Sequence, residues 1–336
     1  MTEQAPTLLD VAREAGVSAA TASRALNGST RTVSAEKLNL VLQAAARLGY
    51  APNLSAQATA RGSTKTVALI VHDIADPYFS SIAAGIVDGA EAAGLTVTMA
   101  VTGRSPDREL EIVSILRGHR PHAIVLAGSR IGDDQEALAD ELSAYRAAGG
   151  RVAVVSQPGL PYGTVTIDNR RGADELADAL VAHGYRRFAI LRGPDVLHTS
   201  RDRAEGFTAG LARAGLEPVE TVEAEFTEDG GHAAMSGLLD RGRGEVELVF
   251  AVNDVMAIGA MRALRDAGLV PGRDLAIAGF DDIPAAVDVD PALTTVAVPM
   301  RKMGRRAIEL ALAETEEPEL VRLPTSVVLR GSTPRR

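Results

Sequence analysis

Gly16-Val-Ser-Ala-Ala-Thr-Ala-Ser-Arg-Ala-Leu-Asn-Gly28 lies near the start of a chain of 336 residues. Glycine opens the stretch and permits a left-handed turn, serine follows as a helix cap, and Asn-Gly closes it. Between them runs a helix of small residues with one arginine, Arg24. Just upstream, Thr7 and Asp10 have the spacing of a capping box, which predicts a first helix running to about Ala15. Two short helices joined by Ala15-Gly-Val-Ser18, with Val17 plugging a small core, give a helix-turn-helix spacing. In that arrangement the second helix enters a DNA major groove, its N-terminal residues facing base edges. The same spacing also suits a helical hairpin inside a larger bundle.

A third helix is predicted from the Ser34 cap to Gly49, with Leu38, Val41, Leu42, Ala45 and Leu48 at helical spacing. The stretch Asn53-Leu-Ser-Ala-Gln-Ala-Thr-Ala-Arg-Gly62 reads as a linker, or as a helix too short to stand without a partner. Charge divides at the same place. The chain carries −9 in all, yet residues 1–62 hold six Lys/Arg against four acids, so the head is mildly basic and the body acidic. A polyanion contact, if made, belongs to the head.

From residue 64 on, the rhythm is strand and helix in alternation. TVALIV (66–71), LTVTMAV (95–101), AIVLAG (123–128), RVAVVS (151–156), TVTID (164–168), RFAILRG (187–193), ELVFAV (247–252) and LAIAGF (275–280) read as strands. Most are continuous apolar runs, as in parallel sheets buried on both faces. Amphipathic helices ending at Gly separate them, which predicts doubly wound α/β structure. The number of units is too large for one such sheet. Two lobes follow, with a ligand cleft outside the carboxyl ends of their strands.

Composition narrows the chemistry. The chain is 46% hydrophobic and has no cysteine, so it has no disulfide framework and no thiolate nucleophile. It contains no GxxxxGK[ST] phosphate loop and no HExxH, and its six histidines are scattered without metal-ligand spacing. Neither a catalytic centre nor a cofactor or metal site is expected. The start MTEQAPTLLD does not read as a signal peptide, and no 18-residue apolar window occurs, so a cytoplasmic protein with no membrane partner is expected.

The residues carry a resemblance as well. Leu8-Leu-Asp-Val-Ala-Arg-Glu-Ala-Gly-Val-Ser-Ala-Ala-Thr-Ala-Ser-Arg-Ala-Leu-Asn-Gly28 and Leu48-Gly-Tyr-Ala-Pro-Asn53 closely resemble the head of the lactose-repressor (LacI/GalR) family. The likeness continues in order through Asp76-Pro-Tyr-Phe79, Asp168-Asn169, Arg203-Ala-Glu-Gly-Phe207, Asn253-Asp-Val-Met-Ala-Ile-Gly-Ala260, Gly279-Phe-Asp-Asp282, Leu293-Thr-Thr295 and Met303-Gly304. So many ordered matches are far more specific than a helix-turn-helix alone. The resemblance implies an all-α helix-turn-helix head followed by an α/β core of two periplasmic-binding-protein-like lobes. It implies a repressor that binds a pseudo-palindromic operator as a homodimer and answers to a small molecule, most often a sugar or polyol. Whether that molecule releases the DNA or is needed to hold it stays open. No heptad-rich segment follows Arg330, which favours a dimer over a tetramer. The boundaries expected are 1–50 for the head, 51–64 for a hinge, 65–163 with 296–325 for the first lobe, and 164–295 with 326–336 for the second.

The family's base-reading helix falls on Ser18 to Asn27, its specificity positions on Ala19 and Ala20, with Arg24 also facing the groove. Thr7, Ser18, Thr21, Ser23 and Asn27 match phosphate-contacting or turn-fixing positions. Chemistry agrees: hydroxyls and amides hold phosphate, and arginine can take guanine O6 and N7 as a pair. The two alanines can touch a thymine methyl, permit close approach, or simply favour helix. In the hinge, Asn53, Ala56 and Arg61 match minor-groove or phosphate contacts. Thr59 stands where the family usually has a leucine wedge; threonine unstacks bases poorly, so the kink is weaker or Leu54 assists.

For the cleft, the resemblance singles out Asp76, Tyr78, Phe79, Gln157, Arg203, Phe226, Asn253 and Asp281. Carboxylates suit sugar hydroxyls and aromatic rings suit the C–H face. Each also has a plain reading: Asp281 can cap a turn and Arg203 can form a surface ion pair. Tyr78 and Phe79 equally resemble the purine-binding relative, but an arginine used there falls at about Leu197, which favours a sugar over a nucleobase. A solute-binding protein or sugar-processing enzyme of the same fold is the other class open, lacking here an export signal or catalytic cluster.

Overall fold

The computed structural model describes residues 6–27, 33–51, 64–128, 135–156, 159–242, 244–313 and 317–336. The chain divides into two compact units, 1–64 and 65–336.

In the first unit, α1 (Leu8–Glu14), α2 (Ala19–Asn27) and α3 (Ala35–Leu48) enclose a small core of Val11, Ala12, Ala15, Ala22, Val41, Ala44 and Ala45. The capping box forms as its spacing predicts: the Asp10 amide donates to Thr7 Oγ1, and the Thr7 amide donates to Asp10 Oδ2 at 2.9 Å. Gly16 takes φ 64° in the turn, and the Thr21 amide donates to Ser18 Oγ at 3.1 Å to cap α2. Val17 packs against the core as a plug. Helix α3 differs from expectation in one respect. Leu42 is exposed and Ala44 takes the buried position, because Val41, Ala44, Ala45 and Leu48 share one helix face and Leu42 lies off it.

The second unit holds two parallel sheets. The first contains β1 (Thr66–Val71), β2 (Thr96–Val101), β3 (Ala123–Ala127), β4 (Arg151–Val155), β5 (Gly163–Ile167) and β11 (Leu320–Leu323), in the order β11-β5-β4-β3-β1-β2. The second runs β7-β6-β8-β9, from β6 (Phe188–Arg192), β7 (Glu220–Glu223), β8 (Leu248–Ala251) and β9 (Ala276–Ala278). A short antiparallel pair, β10 (Thr295–Ala297) with β12 (Ser326–Val328), lies where the chain crosses between them. Side chains alternate across the first sheet as strand geometry requires. Val67, Leu69 and Val71 join one core with α4 (Pro77–Ala92) and α12 (Met300–Leu312), whereas Ala68 and Ile70 join another with α5 (Pro106–His119) and α6 (Glu136–Ala147). The helices α7 (Asn169–Ala182), α8 (His198–Arg213), α9 (Glu228–Asp240) and α10 (Asp254–Asp266) serve the second sheet, and α11 (Ala285–Asp288) is a single turn. Helices α4 and α12 meet at backbone contact: a Cβ on Gly304 would stand 2.0 Å from the Ile82 carbonyl oxygen.

Three expectations need correction. β5 pairs with β4 and β11, so the segment from 164 begins inside the first sheet; the chain leaves that sheet only after Ile167. β2 is an edge strand with exposed Thr96, Thr98 and Met99, not a strand buried on both faces. β7, β10, β11 and β12 were not foreseen. They are three or four residues long and each includes a polar or charged residue, too short and mixed to read as an apolar run.

Candidate functional site

Both sheets have an order in which the first strand sits between the second and third, so each has a crevice outside the carboxyl ends of its strands. The loops leaving those ends converge. Asp76, Tyr78 and Phe79 follow β1; Arg104 follows β2; Thr199 and Arg203 follow β6; Phe226 follows β7, Asn253 β8 and Asp281 β9. All nine line one cavity between the two sheets.

Arg203 is the centre of the site, 2% exposed on α8. Its Nε donates to Asn169 Oδ1 at 2.8 Å, Nη1 to the Val252 carbonyl at 2.9 Å and Nη2 to Asp281 Oδ1 at 2.8 Å. The guanidinium also stacks 3.9 Å from the Phe280 ring centroid. Arg203 is therefore not the surface ion pair its residue type allowed. Asp281 has φ 127° and Asp282 φ 58°, two strained residues in succession, held by backbone bonds from Asp281 to Val296 and from Val298 to Asp281. Burial pushes the Asp281 carboxyl up to about 7, with Arg203 opposing and Asp254 adding to the rise.

Asp254, fully buried, accepts from the Thr295 hydroxyl at 2.6 Å and the Ile283 amide at 2.9 Å, tying the crossing segments together. Burial raises it to about 6. Asn253 caps α10 by accepting from the Met256 amide at 2.9 Å. Asp76 caps α4 in the same way for Tyr78, and burial raises its carboxyl as well. The Tyr78 hydroxyl pairs with Ser156 Oγ at 2.8 Å; burial pushes it up to about 12, so it stays a neutral donor and acceptor. Tyr78 and Phe79 meet edge to face at 5.2 Å between centroids. The result is a half-dry pocket with acceptors, donors and aromatic faces on both lobes, suited to a polyhydroxylated ring.

Seven of the eight cleft residues named from the sequence thus share one cavity; Gln157 lies outside the described residues. Sequence reasoning missed Arg104, Thr199, Asn169 and Asp254. Asn169 and Asp254 stood inside quoted motifs, and Arg104 occupies the same strand-end position as the residues that were named. Thr199 carries no such signal. Leu197 is a buried apolar residue before α8, with no guanidinium for a nucleobase.

In the head, Thr7, Ser18, Ala20 and Arg24 are exposed, and Thr21 and Ser23 half-buried. Ala20 and Arg24 are four apart and share a helix face. Ala19 packs partly against the head core, so it is less open to a partner than its neighbour. Asn27 ends α2. Asn53, Leu54, Ala56, Thr59 and Arg61 lie outside the described residues. Among the described residues no helix is long and apolar enough to cross a membrane.

A helix-turn-helix head joined to a two-lobed core with a polar cleft defines a transcription regulator that carries an effector-binding domain. Comparison with known proteins makes the assignment particular. A model of bacterial regulatory proteins of the lacI family matches residues 7–53, and a periplasmic binding protein-like domain matches residues 177–333. The HTH-type transcriptional regulator CelR of Thermobifida fusca is 34% identical over 97% of this chain and 98% of its own. The structure of a CelR–cellobiose complex aligns at TM-score 0.71 and 32% identity, covering 97% of this chain and 99% of that one. The lac repressor dimer bound to operator and the anti-inducer ONPF aligns at TM-score 0.83 and 28% identity, over 98% and 100%. The chain belongs to the LacI/GalR family of DNA-binding transcription regulators, which are not enzymes.

Proposed function

We propose that the chain acts as a homodimeric cytoplasmic repressor whose operator affinity is set by a neutral sugar or polyol bound between the lobes. The head presents Arg24 to a base edge, with Ala20 lying flat beside it and Thr7, Ser18, Thr21, Ser23 and Asn27 fixing register on phosphates. Ala19 serves mainly as packing. Asn53, Ala56, Thr59 and Arg61 of the hinge meet the central minor groove of a pseudo-palindromic site. In the cleft, Asp76 and Asp281 accept sugar hydroxyls, Asn253 and Arg203 donate, Gln157 adds a further polar contact, and Tyr78, Phe79 and Phe226 face the C–H surfaces.

One observation carries the sugar reading: the cavity joins two carboxylates, arginine and aromatic rings from both lobes. A relative's complex with cellobiose supports it. Because the ligand touches both lobes, it binds one relative lobe orientation better than another, and that difference is the coupling to DNA. Isothermal titration of the full chain with cellobiose, glucose, galactose, ribose, adenosine and hypoxanthine tests the reading. Binding of a sugar and none of a purine is expected; tight purine binding without sugar binding contradicts it.

A further inference from the structure

The cleft holds two arginines, and they are used differently. Arg203 spends three donors on Asn169, Val252 and Asp281 and is part of the wall. Arg104 is not so engaged. Its ion-pair partner among the described residues is Asp76, at 3.8 Å, beyond hydrogen-bond reach. Its guanidinium lies 5.7 Å from the Phe226 ring centroid. Arg104 therefore extends from the loop after β2, in the first lobe, to an aromatic residue after β7, in the second.

The backbone holds it there. The Thr102 and Gly103 amides donate to the Val71 and His72 carbonyls at 2.9 Å, continuing the parallel ladder past the strand end. Ser105 then caps α5, accepting from the Arg108 amide at 3.3 Å. Between these anchors Arg104 takes φ 60°, a left-handed conformation uncommon for a residue with a Cβ. Strain of this kind persists where the surroundings over-determine it, and such positions gather at ligand clamps.

From this geometry we infer that Arg104 is a specificity-determining residue of the effector site, donating to a hydroxyl or ring oxygen of the sugar from the first-lobe side. A guanidinium has five donors in a rigid fork, and among the described residues most of these are unspent. The cleft's two arginines are offset by Asp76 and Asp281, so the ligand it suits is a neutral polyol and not an anion. The sugar takes a donor from Arg104 while its C–H face meets Phe226, and one side chain thereby reports ligand contact to both lobes. The inference rests on the proposed sugar site.

The test uses the full chain and whichever of cellobiose, glucose, galactose or ribose raises the melting temperature of wild type. R104M keeps the stem and removes every donor. Its Kd by titration calorimetry is expected to weaken about tenfold or more, with the ligand-free melting temperature unchanged. One monodeoxy analogue of that sugar should bind wild type and R104M equally, which a merely structural role would not produce. An R104M Kd equal to or tighter than wild type, or a loss spread evenly over all the analogues, overturns the inference. Should R104M fail to fold, R104K decides: lysine lacks the planar fork, so several-fold weakening is expected and an unchanged Kd contradicts it. If none of these sugars binds wild type, the sugar site itself fails and the role of Arg104 falls with it; sugar binding that R104M leaves intact removes Arg104 alone.

Discussion

Replacing Arg203 by methionine strands a carboxylate in the core. The arginine is 2% exposed and Asp281 5%, so the ion pair between them has no solvent to fall back on. Burial already lifts Asp281 to about 7 and Asp254 to about 6; Arg203 is the main force holding Asp281 down, and for Asp254 it adds a little to the bonds from Thr295 and Ile283. Without it, both carboxyls rise further. Removing one partner of a buried pair costs about 3–5 kcal/mol. At roughly 2–4 °C per kcal/mol for a unit of this size, the melting temperature of the core should fall by about 6–20 °C. The sign with pH follows from the direction of the shift. A carboxyl raised in the folded state holds its proton where the unfolded chain has lost it, so stability declines as pH rises from about 4 through the folded value. The R203M deficit should therefore be larger at pH 8 than at pH 5. Adding Asp281→Leu should restore most of the loss, because a buried pair contributes little net stability once both charges are gone. Calorimetric melting of wild type, R203M and R203M/D281L at both pH values measures all of this. A melting temperature for R203M within about 2 °C of wild type at pH 8, or a double mutant in which the two losses simply add, refutes the reasoning.

Other expectations follow from single contacts. Arg24→Ala should weaken operator binding by about 1–3 kcal/mol, roughly five- to 150-fold, and leave sugar binding intact; footprinting that shows an unchanged operator preference removes Arg24 from base reading. Sugar affinity should fall as pH drops from 8 to 6, because Asp281, near 7, is the stronger acceptor for a hydroxyl when ionised; in D281N the profile should be flat and weak, and a flat wild-type profile contradicts the role. Gly304→Ala places a Cβ 2.0 Å from the Ile82 carbonyl, so α4 and α12 must separate at about 1–3 kcal/mol, seen as a lower denaturation midpoint; an unchanged midpoint would show the contact to be yielding. Thr7→Ala removes the capping box and should cost the head about 0.5–2 kcal/mol, read from melting of the isolated unit signal within the full chain.

Local signals were legible where local physics decides. Thr7 with Asp10, Gly16 and Ser18 specify their caps within three residues of themselves. The apolar runs of β1, β3, β4, β6 and β8 are buried strands whatever they pair with. Pairing is another matter. β5 reads Gly-Thr-Val-Thr-Ile, a short strand that either sheet could take, and nothing within it says that it joins β4 and β11. β7 reads Glu-Thr-Val-Glu, with the polar alternation of a half-exposed edge, and offers no apolar run. At the site, the family resemblance pointed to Asp76, Asn253 and Asp281, and their polar side chains at strand ends agreed with it. The bond between Arg203 and Asp281 joins residues 78 positions apart, and only the fold brings them together. Arg104 was hidden because its approach to Phe226 depends on a left-handed backbone at a residue that is not glycine.

Fluorescence anisotropy of a labelled operator fragment, titrated with the sugar that binds the protein, addresses the central claim most directly. With wild type, saturating sugar should change operator affinity by about 5–150-fold, the range of ordinary allosteric coupling. In D281N the same concentration should leave operator binding where it was without sugar. Equal responses in wild type and D281N, or no response in wild type to a sugar that binds, would contradict a cleft that governs the DNA-binding head.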